Sequence, residues 1–272
     1  MTESLKLRII TAVFLIVAAL IFILAFPTPW FAVTALILVV SIGGVEWANL
    51  VNIKNVRQGL YVAWMLLLAY FAYKSTTLSW FFVTLGFFWW FINLVMLIRY
   101  KQGTPFYKDN PLMLRLAGFF VILSAWSAAV ILHAHSPYLV LFLVLLVAAA
   151  DSGAYFAGKA FGKNKLVPQI SPGKTREGLV GGFIAALIVA FIAASFFDLG
   201  KGFFSSFIYL SAITALLSVA GDLFVSLMKR EAGAKDSGNI LPGHGGILDR
   251  VDGLIATLPL FALGINWSAI QI

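Results

Sequence analysis

Long runs of apolar residues alternate with short polar stretches along the whole chain, and this pattern predicts helices that cross a membrane. A spanning helix needs about 20 mostly apolar residues. Nine segments reach or approach that length: Ile9–Phe26, Trp30–Val45, Leu60–Tyr73, Leu78–Ile98, Leu116–Leu132, Tyr138–Ala157, Leu179–Phe197, Phe203–Met228 and Leu254–Ile270. The second and third are short, so a re-entrant pair is an alternative there. We therefore predict an all-α, polytopic integral membrane protein with about nine transmembrane helices.

The composition agrees with this class. The chain is 61% hydrophobic and 11% charged, with a mean hydropathy of +0.98, whereas soluble domains are about 45–50% apolar and about 25% charged. It contains no cysteine, which excludes disulfides and thiolate metal sites. A net charge of +8 would suggest nucleic acid in a soluble protein. In a membrane protein it reflects basic cytoplasmic loops, so the expected partner is a lipid bilayer and not a nucleic acid.

The distribution of basic residues predicts the orientation. With nine spans, 17 of the 19 Lys and Arg residues fall on one side, and only Lys74 and Lys201 fall on the other. Because basic loops remain in the cytoplasm, we expect a cytoplasmic N-terminus in a multi-pass protein of the inner membrane. We divide the chain into N-terminal transmembrane helices (residues 1–135) and a C-terminal transmembrane catalytic region (residues 136–272), which holds most Gly-rich and charge-rich stretches.

Two acidic residues lie inside predicted spans. Asp151 precedes Lys159 by eight residues and Asp222 precedes Lys229 by seven, which places them roughly 12 and 10 Å deep along their helices. A carboxylate at membrane depth costs about 2.5–3.5 kcal/mol and usually faces a partner inside the protein. Both lean toward the basic, cytoplasmic side, where we expect the active site. For Asp222 a metal ligand is favoured, and an ion pair with a neighbouring Lys or Arg is the alternative.

The polar segment Ser226–Asp252 carries the densest candidate chemistry. Its basic side chains supply charges and hydrogen-bond donors for phosphate oxygens: Lys229, Arg230, Lys235 and Arg250. Its glycines let backbone N–H groups approach an anion closely: Gly243, Gly245 and Gly246. Asp249 and Asp252 are three residues apart, so they share a helix face, and carboxylates suit Mg²⁺. The alternative is an amphipathic surface loop whose charges are only solvated.

Two shorter clusters precede this segment. In the first, Tyr155 follows Asp151 by four residues, so it lies on the same helix face; it could orient the carboxylate, stack on a base or belong to an interfacial aromatic belt. Gly158 and Gly162 suit either close helix packing or a phosphate loop. In the second cluster, Ser171–Gly178, the sequence Gly-Lys-Thr lacks the upstream glycine of a P-loop.

The second cluster still has chemistry of its own. Lys174, Thr175 and Arg176 come just before a predicted helix, which would bring cations, a hydroxyl and a positive helix end together. The alternative is a basic loop that touches lipid headgroups. His133 and His135 fall on the outer side of the predicted membrane arrangement, away from every acid, and we predict a loop there and not a metal site.

The spacing within Ser226–Asp252 resembles the signature of the phosphatidate cytidylyltransferases, also called CDP-diacylglycerol synthases. We call it the signature segment. The matching residues are Ser226, Lys229, Arg230, Lys235, Asp236, Leu241, Pro242, His244, Gly245, Gly246, Asp249, Arg250 and Asp252. The stretches Asp151–Lys163 and Ser171–Gly178 are also similar to that family, so the resemblance covers roughly the last 120 residues. The first half is similar only in being hydrophobic.

The resemblance implies transfer of a cytidylyl group from CTP to phosphatidate, which gives CDP-diacylglycerol and pyrophosphate and requires Mg²⁺. From the residues we expect Asp222 and Asp249 to be the metal ligands, with a second cation bridged between them as an option. The expected catalytic residues are Lys229, Arg230, Lys235, Asp236, His244, Arg250 and Asp252. The expected substrate-binding residues are Asp151, Tyr155, Ser171, Lys174, Thr175, Arg176, Ser226, Gly245 and Gly246.

Two other functions are compatible with parts of the pattern. A CTP-dependent kinase of a lipid alcohol would need the same grip on a metal and a triphosphate. A transporter could use Asp151 and Asp222 as a cation path, although the outer halves of their helices are apolar. A homodimer is expected only because two-fold dimers are the commonest oligomers.

Overall fold

A computed structural model describes residues 16–100, 111–197, 199, 202–240 and 245–267. This part of the chain is helical apart from short connections and one hairpin. The helices are α1 (16–24), α2 (Thr28–Ala35), a π-helix (Leu36–Ile42), α3 (Gly43–Leu50), α4 (Val56–Lys74), α5 (Thr76–Arg99), α6 (Pro111–His135), α7 (Pro137–Phe161), α8 (Arg176–Phe196), α9 (Phe203–Glu231) and α10 (Leu248–Trp267). The hairpin consists of β1 (Lys165–Val167) and β2 (Ser171–Thr175).

A helix lies at each of the nine predicted segments, so the all-α prediction is confirmed. Within the described residues, six helices are long and apolar enough to cross a membrane: Thr28–Leu50, Thr76–Arg99, Leu112–His135, Pro137–Phe161, Arg176–Phe196 and Phe203–Glu231. Helices α4 and α10 fall outside this group, and α10 begins with Asp249, Arg250 and Asp252. Residues 9–15 of the first predicted span lie outside the described part. Nine spans and a cytoplasmic N-terminus remain predictions.

The second predicted span is longer than its apolar run suggested. Helices α2 and α3 join through the π-helix into one continuous helix of 23 residues, Thr28–Leu50. Its first part carries Trp30, which is 64% exposed on the surface available to lipid. Its last part carries Glu46 and Trp47, which are buried in the protein interior. The wide turns of a π-helix are often found at functional sites, and this one precedes a buried acid.

Helices α7 and α8 approach closely because small residues face each other along their contact. A Cβ atom added to Gly182 would lie 2.5 Å from the carbonyl oxygen of Ala150, and one added to Gly153 would lie 2.6 Å from the Cβ of Ala185. Such residues let the backbones of membrane helices come together. Gly158 lies at the end of this contact, where an added Cβ would meet Thr175 Oγ1 at 3.0 Å. The structure therefore favours the packing role over the phosphate-loop role for Gly158.

The hairpin between α7 and α8 was not predicted. Its two strands are antiparallel, with Lys165 opposite Thr175 and Val167 opposite Ser171. Glu177, in the first turn of α8, closes its base by accepting hydrogen bonds from Asn164 Nδ2 at 2.7 Å and from the Lys163 backbone N–H at 3.1 Å. The hairpin is thus fixed against the start of α8.

Helix α9 belongs to the C-terminal half of the chain and packs against helices of both halves. The ring of Phe224 lies among three buried tryptophans of the N-terminal half, with centroid distances of 5.8 Å to Trp47, 6.4 Å to Trp89 and 5.5 Å to Trp90. On its other side α9 packs against α10, where a Cβ added to Gly221 would lie 2.8 Å from Ala256 Cβ. Because α9 carries Asp222 and the start of the signature segment, these contacts set the position of the site.

The prediction of a loop at His133 and His135 is wrong. Helix α6 continues through both residues, and the next interruption comes at Ser136 before Pro137. The imidazole of His133 is buried and lies 3.1 Å from Thr28 Oγ1 and 2.9 Å from the carbonyl oxygen of Ile23. A buried imidazole needs such partners, so His133 joins α6 to α1 and α2.

Candidate active site

A cavity of about 470 Å³ lies between α7, α8, α9 and the hairpin, within the usual size range of ligand pockets. Its polar lining is concentrated on α7, β2 and α9: Asp151, Tyr155, Lys159, Ser171, Lys174, Thr175 and Asp222. Its apolar lining comes mainly from α8 and α9: Leu179, Phe183, Ala215, Leu216 and Val219. The cavity therefore offers charged groups and an apolar wall to the same ligand.

Three carboxylates and one lysine form what we call the open acidic cluster: Asp151, Asp222, Asp252 and Lys174. Lys174 Nζ lies 2.6 Å from Asp222 Oδ2, and the Ser226 hydroxyl donates to Asp222 Oδ1 at 3.1 Å. Asp151 and Asp252 are near enough to interact electrostatically with Asp222 and with Lys174. When they are ionised, three carboxylates around one lysine favour the binding of a further cation.

Asp249 belongs to a second arrangement, the closed network, with Lys229, Ser237 and Gly246. Its Oδ1 lies 2.6 Å from Lys229 Nζ. Its Oδ2 accepts the backbone N–H groups of Ser237 at 2.8 Å and Gly246 at 3.0 Å, and the Ser237 hydroxyl lies at 3.0 Å. The Asp249 side chain is only 6% exposed. This network ties the end of α9, the following loop and the start of α10 to one carboxylate.

The two predicted Mg²⁺ ligands lie in different arrangements, Asp222 in the open acidic cluster and Asp249 in the closed network. In the described part of the chain, no group of three or more His, Cys, Asp and Glu side chains is placed to hold a metal ion. The donor set still fits Mg²⁺, which takes one or two carboxylates and completes its shell with water and substrate phosphates. Lys174 contacts Asp222, and Lys229 contacts Asp249. A metal bound to either aspartate would therefore require its lysine to move. Their metal role remains a prediction.

The residues predicted around the hairpin reach the cavity by different routes. Thr175 caps α8, because its Oγ1 accepts the Gly178 N–H at 3.1 Å. The helix begins at Arg176, which the prediction had placed just before it. Ser171 lines the cavity on β2, and Arg176 is exposed at the first position of α8. The Tyr155 ring is 63% exposed and lies 6.0 Å from Lys159 Nζ.

Several predicted residues of the signature segment lie at the protein surface. Arg230, Lys235, Asp236 and Arg250 are exposed. Gly245 has a φ of +77°, a left-handed conformation that favours glycine, and an added Cβ would lie 2.7 Å from Asp249 Oδ2. His244 lies outside the described residues, as do positions 241–243.

Sequence reasoning missed residues that hold the site in place. Glu46 of α3 is 2% exposed, and it accepts hydrogen bonds from the Ile247 and Leu248 N–H groups, each at 2.8 Å, and from the Ser237 hydroxyl at 2.9 Å. The sequence did contain a signal for Glu46, because an acid at the end of an apolar run is a candidate functional residue for the same reason as Asp151. The predicted span ended one residue too early, at Val45, and left Glu46 among the loop residues.

A family profile described as "Cytidylyltransferase family" matches residues 6–267. This chain belongs to the cytidylyltransferase family. It is 37% identical to a phosphatidate cytidylyltransferase of Haemophilus influenzae, over 95% of this chain and 97% of the relative. The proteins of that name from Pseudomonas aeruginosa and Bacillus subtilis are 36% and 33% identical, over 97% and 94% of this chain and 98% and 96% of their own lengths.

Family membership makes the chain an enzyme of the nucleotidyltransferase class. The similarity also extends beyond the last 120 residues, because the three relatives align with nearly the whole chain. The cytidylyltransferase similarity therefore includes α3, whose Glu46 contacts the signature segment. The first half of the chain is more than a hydrophobic anchor for the second.

Proposed function

We propose that this cytidylyltransferase transfers the cytidylyl group of CTP to phosphatidate and forms CDP-diacylglycerol and pyrophosphate. The observation that carries the proposal is the cavity between α7, α8 and α9, where Asp151, Lys174 and Asp222 of the open acidic cluster face the same space as an apolar wall. A lipid phosphate has a charged end and an apolar end, and such a cavity suits both. The names of the three relatives point to the same substrate.

The reaction needs charge control more than acid–base chemistry. An oxygen of the lipid phosphate attacks the α-phosphorus of CTP, a new P–O bond forms, and the bond from the α-phosphorus to the bridging oxygen breaks to release pyrophosphate. The lipid phosphate is already largely ionised near neutral pH, since its second pKa is about 6. Catalysis of such transfers is mainly positioning and neutralisation of charge, which requires cations around both substrates.

Basic residues of β2 and of the signature segment would supply that neutralisation. We assign Lys174, Lys229 and Arg230 to the phosphates of CTP and of the lipid, together with Lys235 and Arg250. Lys174 and Lys229 each contact an aspartate at 2.6 Å. Bound substrate phosphates offer these lysines an alternative partner, so the ion pairs would be exchanged when substrate enters.

Mg²⁺ is the expected cofactor, and Asp222 and Asp249 are the carboxylates that we propose would hold it. Bound there, Mg²⁺ would neutralise phosphate charge and align the α-phosphorus with the attacking oxygen. Ser226 would orient Asp222 through its hydrogen bond of 3.1 Å, and Asp252 and Asp151 would add negative potential from neighbouring helices. A second cation between the two carboxylates is the finer form of this proposal.

We propose that the enzyme lies in the inner membrane with nine spans and a cytoplasmic N-terminus. Its site would open to the cytoplasm. This arrangement is supported by the basic residues in the last turns of two helices that line the cavity, Lys159 of α7 and Lys229 of α9. A homodimer remains an expectation from base frequencies of oligomers.

The experiment that tests the function is pyrophosphate release by the purified, full-length protein in detergent. CTP, Mg²⁺ and phosphatidate are supplied together and then omitted one at a time. Release that requires all three, with CDP-diacylglycerol as the lipid product, is the expected result. CDP without pyrophosphate would indicate γ-phosphoryl transfer to a lipid alcohol instead. No nucleotide turnover would exclude both enzymatic functions and return attention to transport.

A further inference from the structure

Glu46 is a buried acid from the N-terminal half of the chain whose hydrogen-bond donors come from the signature segment. Its side chain is almost completely shielded, at 2% exposure, and a buried carboxylate is costly unless it is hydrogen-bonded. The donors are the backbone N–H groups of Ile247 and Leu248 at 2.8 Å and the Ser237 hydroxyl at 2.9 Å. These contacts join residues about 200 positions apart.

Two of these donors lie at the start of α10: Leu248 is its first residue, and Ile247 directly precedes it. The first N–H groups of a helix have no partner inside the helix, and a negative charge there also interacts favourably with the helix dipole. Glu46 therefore caps α10 from another helix, at Ile247 and Leu248. The cap fixes where α10 begins, and Asp249 is its second residue.

The Ser237 hydroxyl extends this cap to the closed network. It lies 2.9 Å from Glu46 Oε2 and 3.0 Å from Asp249 Oδ2, so one hydroxyl connects the two carboxylates. Asp249 in turn holds Lys229 at 2.6 Å. A path of direct contacts thus runs from Glu46 to the two residues that the proposed function assigns to metal and phosphate.

Two glycines of the signature segment make room for this acid. A Cβ atom added to Gly238 would lie 2.7 Å from Glu46 Oε1, and one added to Gly246 would lie 2.5 Å from both carboxylate oxygens of Glu46. Real Cβ atoms do not approach so closely, so any side chain at either position would displace Glu46. The glycine at position 246, which we first attributed to anion binding, also has this steric reason.

We infer that Glu46 is a positioning residue for the cytidylyl transfer: it holds the loop between α9 and α10 so that Asp249 and Lys229 face the substrates. The inference rests on the proposed function for its kinetic consequence, whereas the structural consequence can be measured without substrate. Residues that support metal ligands in this way usually change metal affinity or activity by about 10–100-fold when substituted.

The first test compares Glu46→Gln with Asn49→Ala in the full-length protein. Gln is similar in size to Glu but loses the charge and one acceptor oxygen. Asn49 lies on the same helix and accepts a hydrogen bond of 2.8 Å from Gln58 Nε2, so its substitution removes a contact between α3 and α4 and leaves the signature segment alone. Both proteins are examined by amide hydrogen exchange without Mg²⁺ or substrate.

Faster exchange confined to residues 237–249 is expected for Glu46→Gln, and unchanged exchange in that region is expected for Asn49→Ala. In the pyrophosphate assay, Glu46→Gln should lower kcat by about 10–100-fold and raise the Mg²⁺ concentration for half-maximal rate. A rate within twofold of wild type would overturn the inference. So would faster exchange spread through all helices, because that result describes a general loss of stability.

If Glu46→Gln does not fold, Ser237→Ala gives a second test, since it removes only the hydroxyl that joins Glu46 to Asp249. It should produce the same local increase in exchange and a several-fold loss of kcat, and full activity would contradict the inference.

Where both single variants fold, the double variant should lose less activity than the product of the two single losses, because the residues share one path. If the wild type releases no pyrophosphate, the proposed function fails, and the exchange data still test the cap.

Discussion

Asp222 and Asp249 are both carboxylates that hold a lysine at 2.6 Å, yet their surroundings differ. Asp222 is 28% exposed and lines the cavity, and its second oxygen contacts one hydroxyl. Asp249 is 6% exposed, and its second oxygen accepts two backbone N–H groups. The same residue type therefore serves an open cluster in one place and a structural network in the other.

Asp222 is therefore placed to contact a ligand, whereas Asp249 mainly holds the surrounding backbone in position. A ligand can exchange with Lys174 at Asp222 without disturbing the backbone. At Asp249 a ligand must compete with contacts that hold the loop and α10 together. Substitutions at the two positions should therefore change activity and stability in different proportions, and the following experiments measure those proportions.

The largest effect on activity is expected for Asp222→Asn. Removal of a carboxylate that holds a metal costs several kcal/mol of transition-state stabilisation, which corresponds to about 1000-fold in rate. The free energy of unfolding should change by less than about 1 kcal/mol, since a partly exposed ion pair contributes little. Pyrophosphate release and thermal unfolding in detergent measure the two quantities. A variant with near-normal turnover would remove Asp222 from the metal site.

Asp249→Asn should reduce both quantities. The substitution leaves the Lys229 ammonium, which is 15% exposed, without its charge partner, and breaking such a pair costs about 3 kcal/mol. We expect a clear fall in unfolding temperature together with a loss of turnover. If Asp249→Asn were as stable as Asp222→Asn, the contacts of Asp249 would contribute no more to stability than those of Asp222. The contrast between the two aspartates would then no longer hold.

The smallest effect is expected for Thr175→Ala, which removes the cap of α8 beside the open acidic cluster. Loss of a threonine cap costs about 1 kcal/mol. Because Lys174 is the preceding residue, KM for CTP should rise several-fold while kcat changes little. The matched control is Thr175→Ser, which keeps the hydroxyl that accepts the Gly178 N–H. Equal KM values for the Ala and Ser variants would disconnect the cap from nucleotide binding.

The helices could be predicted because each one needs only a run of apolar residues of sufficient length. That criterion located α5 and α9 nearly to the residue: the predicted Leu78–Ile98 and Phe203–Met228 became Thr76–Arg99 and Phe203–Glu231. The hairpin could not be found in this way. Its strands have three and five residues, and the second reads Ser-Pro-Gly-Lys-Thr, which has no alternation of apolar and polar positions and contains two turn formers.

The sequence predicted which residues belong to the candidate site, but not which of them contact each other. Residue type and spacing indicated that Asp222, Asp249 and the basic residues belong together. They gave no means of knowing that Asp252 would join Asp222 while Asp249 would pair with Lys229. That division depends on how α9 and α10 pack at Gly221, a contact between helices. Glu46 was missed for a similar reason, since its partners are distant in the chain.

The π-helix at Leu36–Ile42 has a consequence for the rotation of α3. An α-helix turns by about 100° per residue, and the wider π turns hold more residues each. Side chains after the π-helix are therefore rotated about the helix axis relative to a continuous α-helix. Glu46 follows the π-helix by four residues and is buried in the protein interior, so the direction of its side chain includes this rotation. The angular phase of α3 therefore contributes to the position at which α10 begins.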